Sequence, residues 1–443
     1  MAFSTGFRAS LARGAQAQAS AAFSSEAVGE RVIFLLDYDS FFARCMQQAY
    51  PPLRGKPVGI RGPAKGTAII AASTEAKQYG IKVGVHLNEA RRLCPGLIPV
   101  HADMDMYAEI CTRSLRVLTS YTDQVEPFSI DEAFMDVTDL IERFGGARLL
   151  AQQIKRDLRD ALGAYITCSI GVAPNKMLAK LASHFDKPDG VTVVHADDIP
   201  ALLDKITLTD ICGIGARVER RLQRLGVYTV AQLGKIPRAV LVKEFGVLGH
   251  VYALWGQGID LTPVQPYHQQ AEEKSIGHGL TLPDAVGDRR TLDGIILRLC
   301  ERVGRRLRRR NFLGKTVQCW VRHDGFDHPG GFGGRRTLDH YTDNSALLYR
   351  VVQGMFPGPG LACPVRQVHV TVSQLRHNAL QLSLEEDRVQ QRQLQQTLDT
   401  VNDKFGEFTI MLGTLLFDTF PLRNGPPGHA FCKRYSVDAG TPP

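Results

Sequence analysis

Positions 32–36 read Val-Ile-Phe-Leu-Leu, an unbroken apolar run that stops at Asp37. A run this short, without polar alternation, predicts a strand buried on both faces with Asp37 at its end. Pro51, Pro52, Gly55, Pro57, Gly59, Gly62, Pro63 and Gly66 then crowd the chain. They predict a small turn-rich module, closed by two short amphipathic segments near 75–79 and 87–93. Further on, Phe128, Ile130, Glu132 and Phe134 share one parity of an alternating stretch, and Ser129, Asp131 and Ala133 share the other. On an ideal strand the adjacent Asp131 and Glu132 point to opposite faces, so both reach one centre only if the backbone bends or the side chains differ in reach. A helix is predicted over 148–162 and a strand over 166–172. A second helix opens after Pro174 and Asn175, with Met177, Leu178, Leu181 and Phe185 at helical spacing. Strands and helices in alternation predict a mixed α/β core.

From about Leu202 the pattern turns helical. It contains Ile211-Cys212-Gly213-Ile214-Gly215 followed by Arg217, Arg220, Arg221 and Arg224, which reads as a helix, a glycine hairpin and a basic helix. Proline, glutamine and loss of periodicity over 262–273 mark a linker. A second α/β unit is expected over 274–375, and a polar tail rich in Gln closes the chain. At 443 residues the chain exceeds one ordinary core and predicts two to four domains.

An apolar fraction of 44% and a charged fraction of 22% are those of a globular protein and exclude a fibrous or wholly disordered chain. The net charge of +8 is unevenly placed, because nine arginines fall between positions 289 and 310 with only Asp293 and Glu301 among them. A polyanionic partner follows, and nucleic acid ranks ahead of a membrane surface because no apolar run approaches the ~18 residues of a spanning helix. The nine cysteines are scattered, odd in number and never spaced as zinc ligands, which fits a reducing compartment. Residues 1 to about 28 are rich in Ala, Ser and Gly, carry Arg8 and Arg13 and have no acid before Glu26. That composition fits either an organelle-targeting segment or a disordered extension. The expected location is the cytoplasm, at the nucleoid, with organelle targeting as the alternative.

Asp37 at a strand end, Asp39 two residues on, and the adjacent Asp131 and Glu132 are hard oxygen donors of the kind that hold Mg²⁺ or Mn²⁺. Two such ions about 3.5–4 Å apart can stabilise the attacking and leaving oxygens of a phosphoryl transfer together. The carboxylates alone do not establish that chemistry, since an Asp-X-Asp is frequent by chance.

The surrounding motifs resemble those of the Y-family of DNA polymerases, specifically the DinB-like group of the DNA polymerase IV type. The residues that carry the resemblance are Leu36-Asp37-Tyr38-Asp39-Ser40-Phe41-Phe42, Ser129-Ile130-Asp131-Glu132-Ala133-Phe134 and Gly171-Val172-Ala173-Pro174-Asn175-Lys176-Met177-Leu178-Ala179-Lys180, in that order, within 31–375. The resemblance implies a multidomain α/β (α+β) right hand. Residues 1–30 would be an extension, 31–40 and 108–196 the catalytic palm, and 41–107 the fingers. A thumb with helix-hairpin-helix would occupy 197–262, a linker 263–273, a DNA-binding little finger 274–376 and a polar tail 377–443. It further implies that Asp37, Asp131 and Glu132 hold two Mg²⁺ ions, for which Mn²⁺ can substitute, with help from the backbone carbonyl of Tyr38. Asp39 falls at a position that is not usually a ligand. Phe42 matches a steric gate that excludes a ribose 2′-hydroxyl, and Lys176 a lysine that contacts the triphosphate.

In the fingers the group usually places a tyrosine and an arginine on the triphosphate, where this chain has Thr74 and Lys77, so a bidentate guanidinium gives way to a single ammonium. That variation, with Phe326-Asp327-His328-Pro329 and Gly331-Phe332, is closest to the UvrX-like bacterial branch. Gly213 and Gly215 let backbone amides approach a DNA phosphate beside Arg217. Arg305, Arg306 and Arg308 would hold the duplex backbone. Gln381-Leu382-Ser383-Leu384 resembles the start of a sliding-clamp-binding peptide, although Glu385 stands where an aromatic anchor is usual. The implied activity is error-prone translesion synthesis on primer-template DNA with deoxynucleoside triphosphates by a monomer without membrane attachment. The short module with Gly66, Ala68 and Ala71 cannot wrap a base pair tightly. Two other classes compete: a two-metal nuclease, in which Phe42 has no purpose, and a DNA-binding factor that kept the hand and lost the chemistry.

Overall fold

The computed structural model describes residues 31–62, 68–269, 273–325, 330–356, 358, 360–377, 386–406 and 409–411. These fall into two compact units, divided after position 270.

The first unit begins with β1 (Ile33–Tyr38), α1 (Phe41–Ala49), β2 (Val58–Arg61), β3 (Ile69–Ala72), α2 (Thr74–Lys77), α3 (Leu87–Leu93), β4 (Ile98–His101) and α4 (Met104–Thr119). It continues with β5 (Val125–Pro127), β6 (Glu132–Asp136), α5 (Ala147–Leu162), β7 (Cys168–Ala173), α6 (Lys176–Ala182) and β8 (Val191–Val193). Its main sheet has the order β5-β6-β1-β7-β8, with β1 antiparallel to both β6 and β7. The apolar run has no polar alternation because neither of its faces meets water. Phe34 and Leu36 join a core with Leu115, Leu118, Leu150 and Ile154 from α4 and α5. Ile33 and Leu35 join another with Phe134, Met177 and Leu178. The turn-rich module forms a separate three-stranded sheet, β3-β2-β4, under α2 and α3.

Two local details fix α6 over β7. The Asn175 side chain caps the helix by accepting from Leu178 N at 3.0 Å, and its amide nitrogen donates to the Gly258 carbonyl at 2.8 Å. A Cβ on Gly171 would lie 2.0 Å from the Ala179 carbonyl oxygen, so only glycine lets strand and helix approach this closely. The helix expected to reach Phe185 ends at Ala182, and Phe185 is 51% exposed rather than part of the apolar face. Short helices complete the unit: α7 (Ile199–Lys205), α8 (Ala216–Arg224), α9 (Val230–Leu233), α10 (Arg238–Phe245) and α11 (Val247–Trp255).

The second unit comprises β9 (Ser275–Val286), α12 (Arg289–Arg309), β10 (Phe312–His323), β11 (Gly331–Thr342), α13 (Ser345–Gln353), β12 (Val365–His377) and α14 (Glu386–Phe405). Its antiparallel sheet runs β11-β10-β12-β9. Val317, Val321, Val368, Val370 and Val372 of the sheet pack against Ile295, Leu299 and Val303 of α12. The stretch read as a polar tail contains the 20-residue helix α14. Gln, Leu and Arg are good helix formers, and Asp399 and Asp403, one turn apart, meet arginines of α12. Among the described residues no helix is long and apolar enough to cross a membrane.

Candidate active site

The strand register brings two of the expected carboxylates together. Asp37 lies directly opposite Glu132 in the antiparallel β1–β6 pair, which puts both side chains on one face. The parity conflict between Asp131 and Glu132 is resolved by the backbone, because β6 starts at Glu132 and Asp131 lies in the bend before it. Phe128 N and Ser129 N both donate to the Glu132 carbonyl, closing that bend, and Tyr38 N donates to the Asp131 carbonyl at 2.9 Å, holding it against the end of β1. Ser129 Oγ donates to Asp131 Oδ1 at 2.5 Å.

Each carboxylate has a different electrostatic partner. Lys187 Nζ lies 2.6 Å from Asp37 Oδ1, and His184 Nε2 lies 3.6 Å from Oδ2. Lys180 Nζ forms an ion pair with Glu132 Oε1. Burial pushes the Asp37 carboxyl upward, but hydrogen bonding from His184 and the charge of Lys187 hold it below the usual carboxylate range. Burial raises Asp131 above that range, with the charge of Asp37 adding to it. Burial also raises Glu132, opposed by Lys180 and reinforced by Asp37 and Asp131. Three mutually repelling acids, Asp37 buried and the other two half-buried, are the donor set a hard cation would satisfy, so these residues fit divalent metal. Among the described residues they are not drawn into a closed ligand set. The lysines lie against them instead.

Asp39 is separate from this centre. Its carboxylate accepts from Thr167 Oγ1, Ser169 Oγ and Asp189 N, each at 2.9 Å, so it ties the 187–189 segment to the sheet. Phe41 is 3% exposed, whereas Phe42 is half-buried and stacks on Tyr107 with ring centroids 4.4 Å apart. Thr74 and Lys77 begin and end α2. Burial and the charge of Lys187 lower the Lys77 ammonium, while Asp39, Asp37 and Asp131 act the other way, so Lys77 lies in the field of the carboxylates.

Lys176 is not brought to the centre. It is 7% exposed, its Nζ pairs with Glu126 Oε2 at 2.7 Å and lies over the Phe134 ring. Those contacts engage the residue expected at the triphosphate inside the fold. Lys180, Lys187 and His184 are the cationic or proton-bearing groups that sequence reasoning missed. Only Lys180 had a legible signal, its place one turn along α6. Lys187 lies in no regular element and reaches Asp37 only through the fold.

In the hairpin, Gly213 has φ 109, and Gly215 opens α8 without a side-chain cap. A side chain at Gly215 would meet nothing, so the backbone is open to approach. Arg217 is exposed, but Arg221 pairs with Glu244 at 2.7 Å. In the arginine run of α12, the three residues expected to hold DNA have partners within the second unit. Arg305 is 8% exposed and pairs with Asp403, Arg308 pairs with Asp399 at 2.6 Å, and Arg306 donates to the Gly277 carbonyl at 2.9 Å. Their acids come from α14, too far along the chain for local charge counting to find. The clamp-peptide residues Gln381, Leu382 and Leu384, and the segment 326–329, lie outside the described residues.

Comparison with known proteins agrees with this arrangement. Residues 36–184 match the impB/mucB/samB family and residues 273–384 match the C-terminal domain of that family. The chain is 40% identical to a DNA polymerase IV of Moorella thermoacetica over 320 residues, 72% of this chain and 78% of that protein. It is 36% identical to a DNA polymerase IV of Pelotomaculum thermopropionicum over 88% of this chain and 97% of that one. It is 33% identical to DNA polymerase IV 2 of Bacillus subtilis over 86% and 94%. A solved Y-family DNA polymerase chimera superposes with a TM-score of 0.66 at 25% identity, covering 78% of this chain and all of that one. With its paired carboxylates on β1 and at the start of β6, and with relatives matched along most of its length, the chain belongs to the Y-family of DNA polymerases, in the DNA polymerase IV group.

Proposed function

We propose that the chain is a template-directed, error-prone translesion DNA polymerase, which adds deoxynucleotides to a primer 3′ end in DNA damage tolerance and repair. The observation that carries this reading is the convergence of Asp37, Asp131 and Glu132 at one end of a fully buried strand, opposite three basic side chains. Its substrates are DNA and deoxynucleoside triphosphates, and it depends on divalent metal. Two Mg²⁺ ions, replaceable by Mn²⁺, would be held by Asp37, Asp131 and Glu132 with the Tyr38 carbonyl. When bound they would supply charge stabilisation for the attacking and leaving oxygens.

The remaining roles belong to the chain's own groups. Lys187 neutralises Asp37 when the centre is empty and turns to the triphosphate when it is loaded, the role expected of Lys176. Lys180 holds Glu132 in place, and Lys77 contributes a further positive charge. Phe42, braced on Tyr107, presents a ring edge where a 2′-hydroxyl would clash. We assign 31–40 and 108–196 to the palm, 41–107 to the fingers, 197–262 to the thumb and 274–376 to the little finger. Gly213, Gly215 and Arg217 are assigned to the DNA backbone. The enzyme acts as a monomer in the cytoplasm and is recruited by a sliding clamp through Gln381, Leu382 and Leu384.

Primer extension on a primed template with Mg²⁺ tests the reading, comparing the wild type with Asp131→Asn/Glu132→Gln. Template-dependent extension by the wild type, lost in the variant, is expected, with an abasic template testing bypass on the same gel. Wild-type protein that binds primer-template but never extends it would overturn the assignment.

A further inference from the structure

The catalytic reading leaves a half-buried cation of α1 without a role. Arg44 lies on α1, two residues beyond Phe42, and is half-buried. Its Nη2 donates to Thr74 Oγ1 at 3.3 Å, a long hydrogen bond. Its Nε is buried with no hydrogen-bond partner, and among the described residues Arg44 forms no ion pair. A guanidinium has five donors, cannot shed its proton, and is costly to bury unmatched. Glu75, a carboxylate whose ionisation it influences, is already engaged, accepting from Gln47 Nε2 at 3.2 Å.

The neighbourhood of that guanidinium identifies the anion it awaits. Thr74 and Lys77 sit on the same single turn of helix, and Lys77 is electrostatically coupled to Asp37, Asp39 and Asp131. Long side chains on a helix lean toward its N-terminus, which for α1 is the end carrying Phe42 and adjoining β1. Through Thr74, Arg44 therefore reaches the helical turn that carries Lys77, which lies in the field of the carboxylates. The anion that enters there during the reaction is the polyphosphate of the incoming nucleotide.

We propose that Arg44 is a substrate-binding residue that grips the terminal phosphates of the incoming nucleotide, bidentately, with Thr74 Oγ1 as its positioning partner. The proposal rests on the polymerase reading. In it the guanidinium that binds the polyphosphate comes from α1 and the ammonium from α2, so the two cations approach from different elements. Binding of the phosphate would match the Nε donor that the free protein leaves buried and unpaired.

The test is steady-state single-nucleotide insertion by full-length wild type, Arg44→Ala, Arg44→Lys and Thr74→Val, with inhibition by inorganic pyrophosphate measured in parallel. Equilibrium binding of a deoxynucleoside triphosphate to the protein with primer-template is measured by fluorescence, and melting temperature is recorded for every variant. Arg44→Ala should raise KM for the nucleotide 10- to 100-fold and weaken pyrophosphate inhibition by a similar factor, with primer-template affinity unchanged. Arg44→Lys should recover part of the loss, and Thr74→Val should show a smaller effect of the same kind. If Arg44→Ala leaves KM and pyrophosphate inhibition unchanged in an enzyme that extends primers, the proposal falls and the polymerase reading stands. The proposal falls equally if every loss follows melting temperature alone. If the wild type fails to extend but binds the nucleotide in an Arg44-dependent way, the polymerase reading falls and the phosphate site stands. If it neither extends nor binds nucleotide, both fall.

Discussion

Replacing Lys176 and Lys187 separately by methionine should produce opposite kinds of damage from the same chemical change. The Lys176 ammonium sits in a buried pair with Glu126, at side-chain exposures of 8% and 12%. Removing it strands a buried carboxylate, which costs about 3–5 kcal/mol. Gln265 N continues to donate to Glu126 at 2.8 Å, which places the loss at the lower end, about 3 kcal/mol. For a unit of this size that lowers the melting temperature by roughly 6–12 °C. Lys187 is more exposed, at 31%, and faces a carboxylate whose other partners remain. Its loss should cost little stability but should remove a charged contact with the nucleotide worth about 2 kcal/mol, a roughly 30-fold fall in kcat/KM. Thermal unfolding and single-nucleotide insertion on the same preparations separate the two. Normal stability with a large kinetic loss in Lys176→Met, together with normal kinetics in Lys187→Met, would refute this division of roles.

Four further outcomes follow from the same geometry. Phe42→Ala should admit ribonucleotides, raising their insertion relative to deoxynucleotides by at least 10-fold in a competition assay, because the ring stacked on Tyr107 is what occupies the sugar edge. Gly171→Ala should unfold or severely destabilise the first unit in a melting experiment, since the added methyl would press on the backbone of α6 rather than on a side chain that can turn away. Asp399→Asn should destabilise the second unit by about 3 kcal/mol in denaturant titration, because the Arg308 guanidinium is left without its charge partner. Burial, with the charges of Arg306 and Arg302, pushes the His278 imidazole down to about 3. Below the unfolded value near ~6.5 the unfolded chain therefore takes up a proton that the folded chain refuses, and stability falls as pH drops through that window. His278→Gln should remove about 1 kcal/mol of that dependence at pH 5, after allowance for partial solvent screening, as read from denaturant midpoints.

The amino-acid pattern made legible whatever depends on near neighbours in the chain. The unbroken run before Asp37 reads as a doubly buried strand because packing on both faces imposes that composition. Strand parity left the Asp131–Glu132 pair a bend or a difference in side-chain reach, and the backbone takes the bend. What escaped was set by contacts between distant segments. Lys176 and Lys187 look equally available in sequence, and only the tertiary positions of Glu126 and Asp37 give them different partners. The arginines of α12 look almost unopposed along the sequence, yet α14 returns with Asp399 and Asp403 to pair with Arg305, Arg308 and Arg309. Helix α14 itself was missed because its face is completed by ionic partners rather than by an apolar stripe. Phe185 shows the opposite error, an apolar residue in helical register just past the helix end.

The burial of β1 on both faces has a consequence for how the protein breathes. Its amides bond to β6 and β7, so they can exchange with solvent only when the first unit opens as a whole. Asp37 and its cross-strand partner Glu132 are thereby carried by the slowest-exchanging part of the molecule. Asp131 is not: it lies one residue outside β6, and its amide is held by Ser129 Oγ at 3.3 Å, a local contact that can open without unpairing any strand. A hydrogen-exchange map should therefore divide the three acids two to one. Small adjustments of the centre between empty and loaded states would then be made through Asp131, against a frame in which the other two stay fixed.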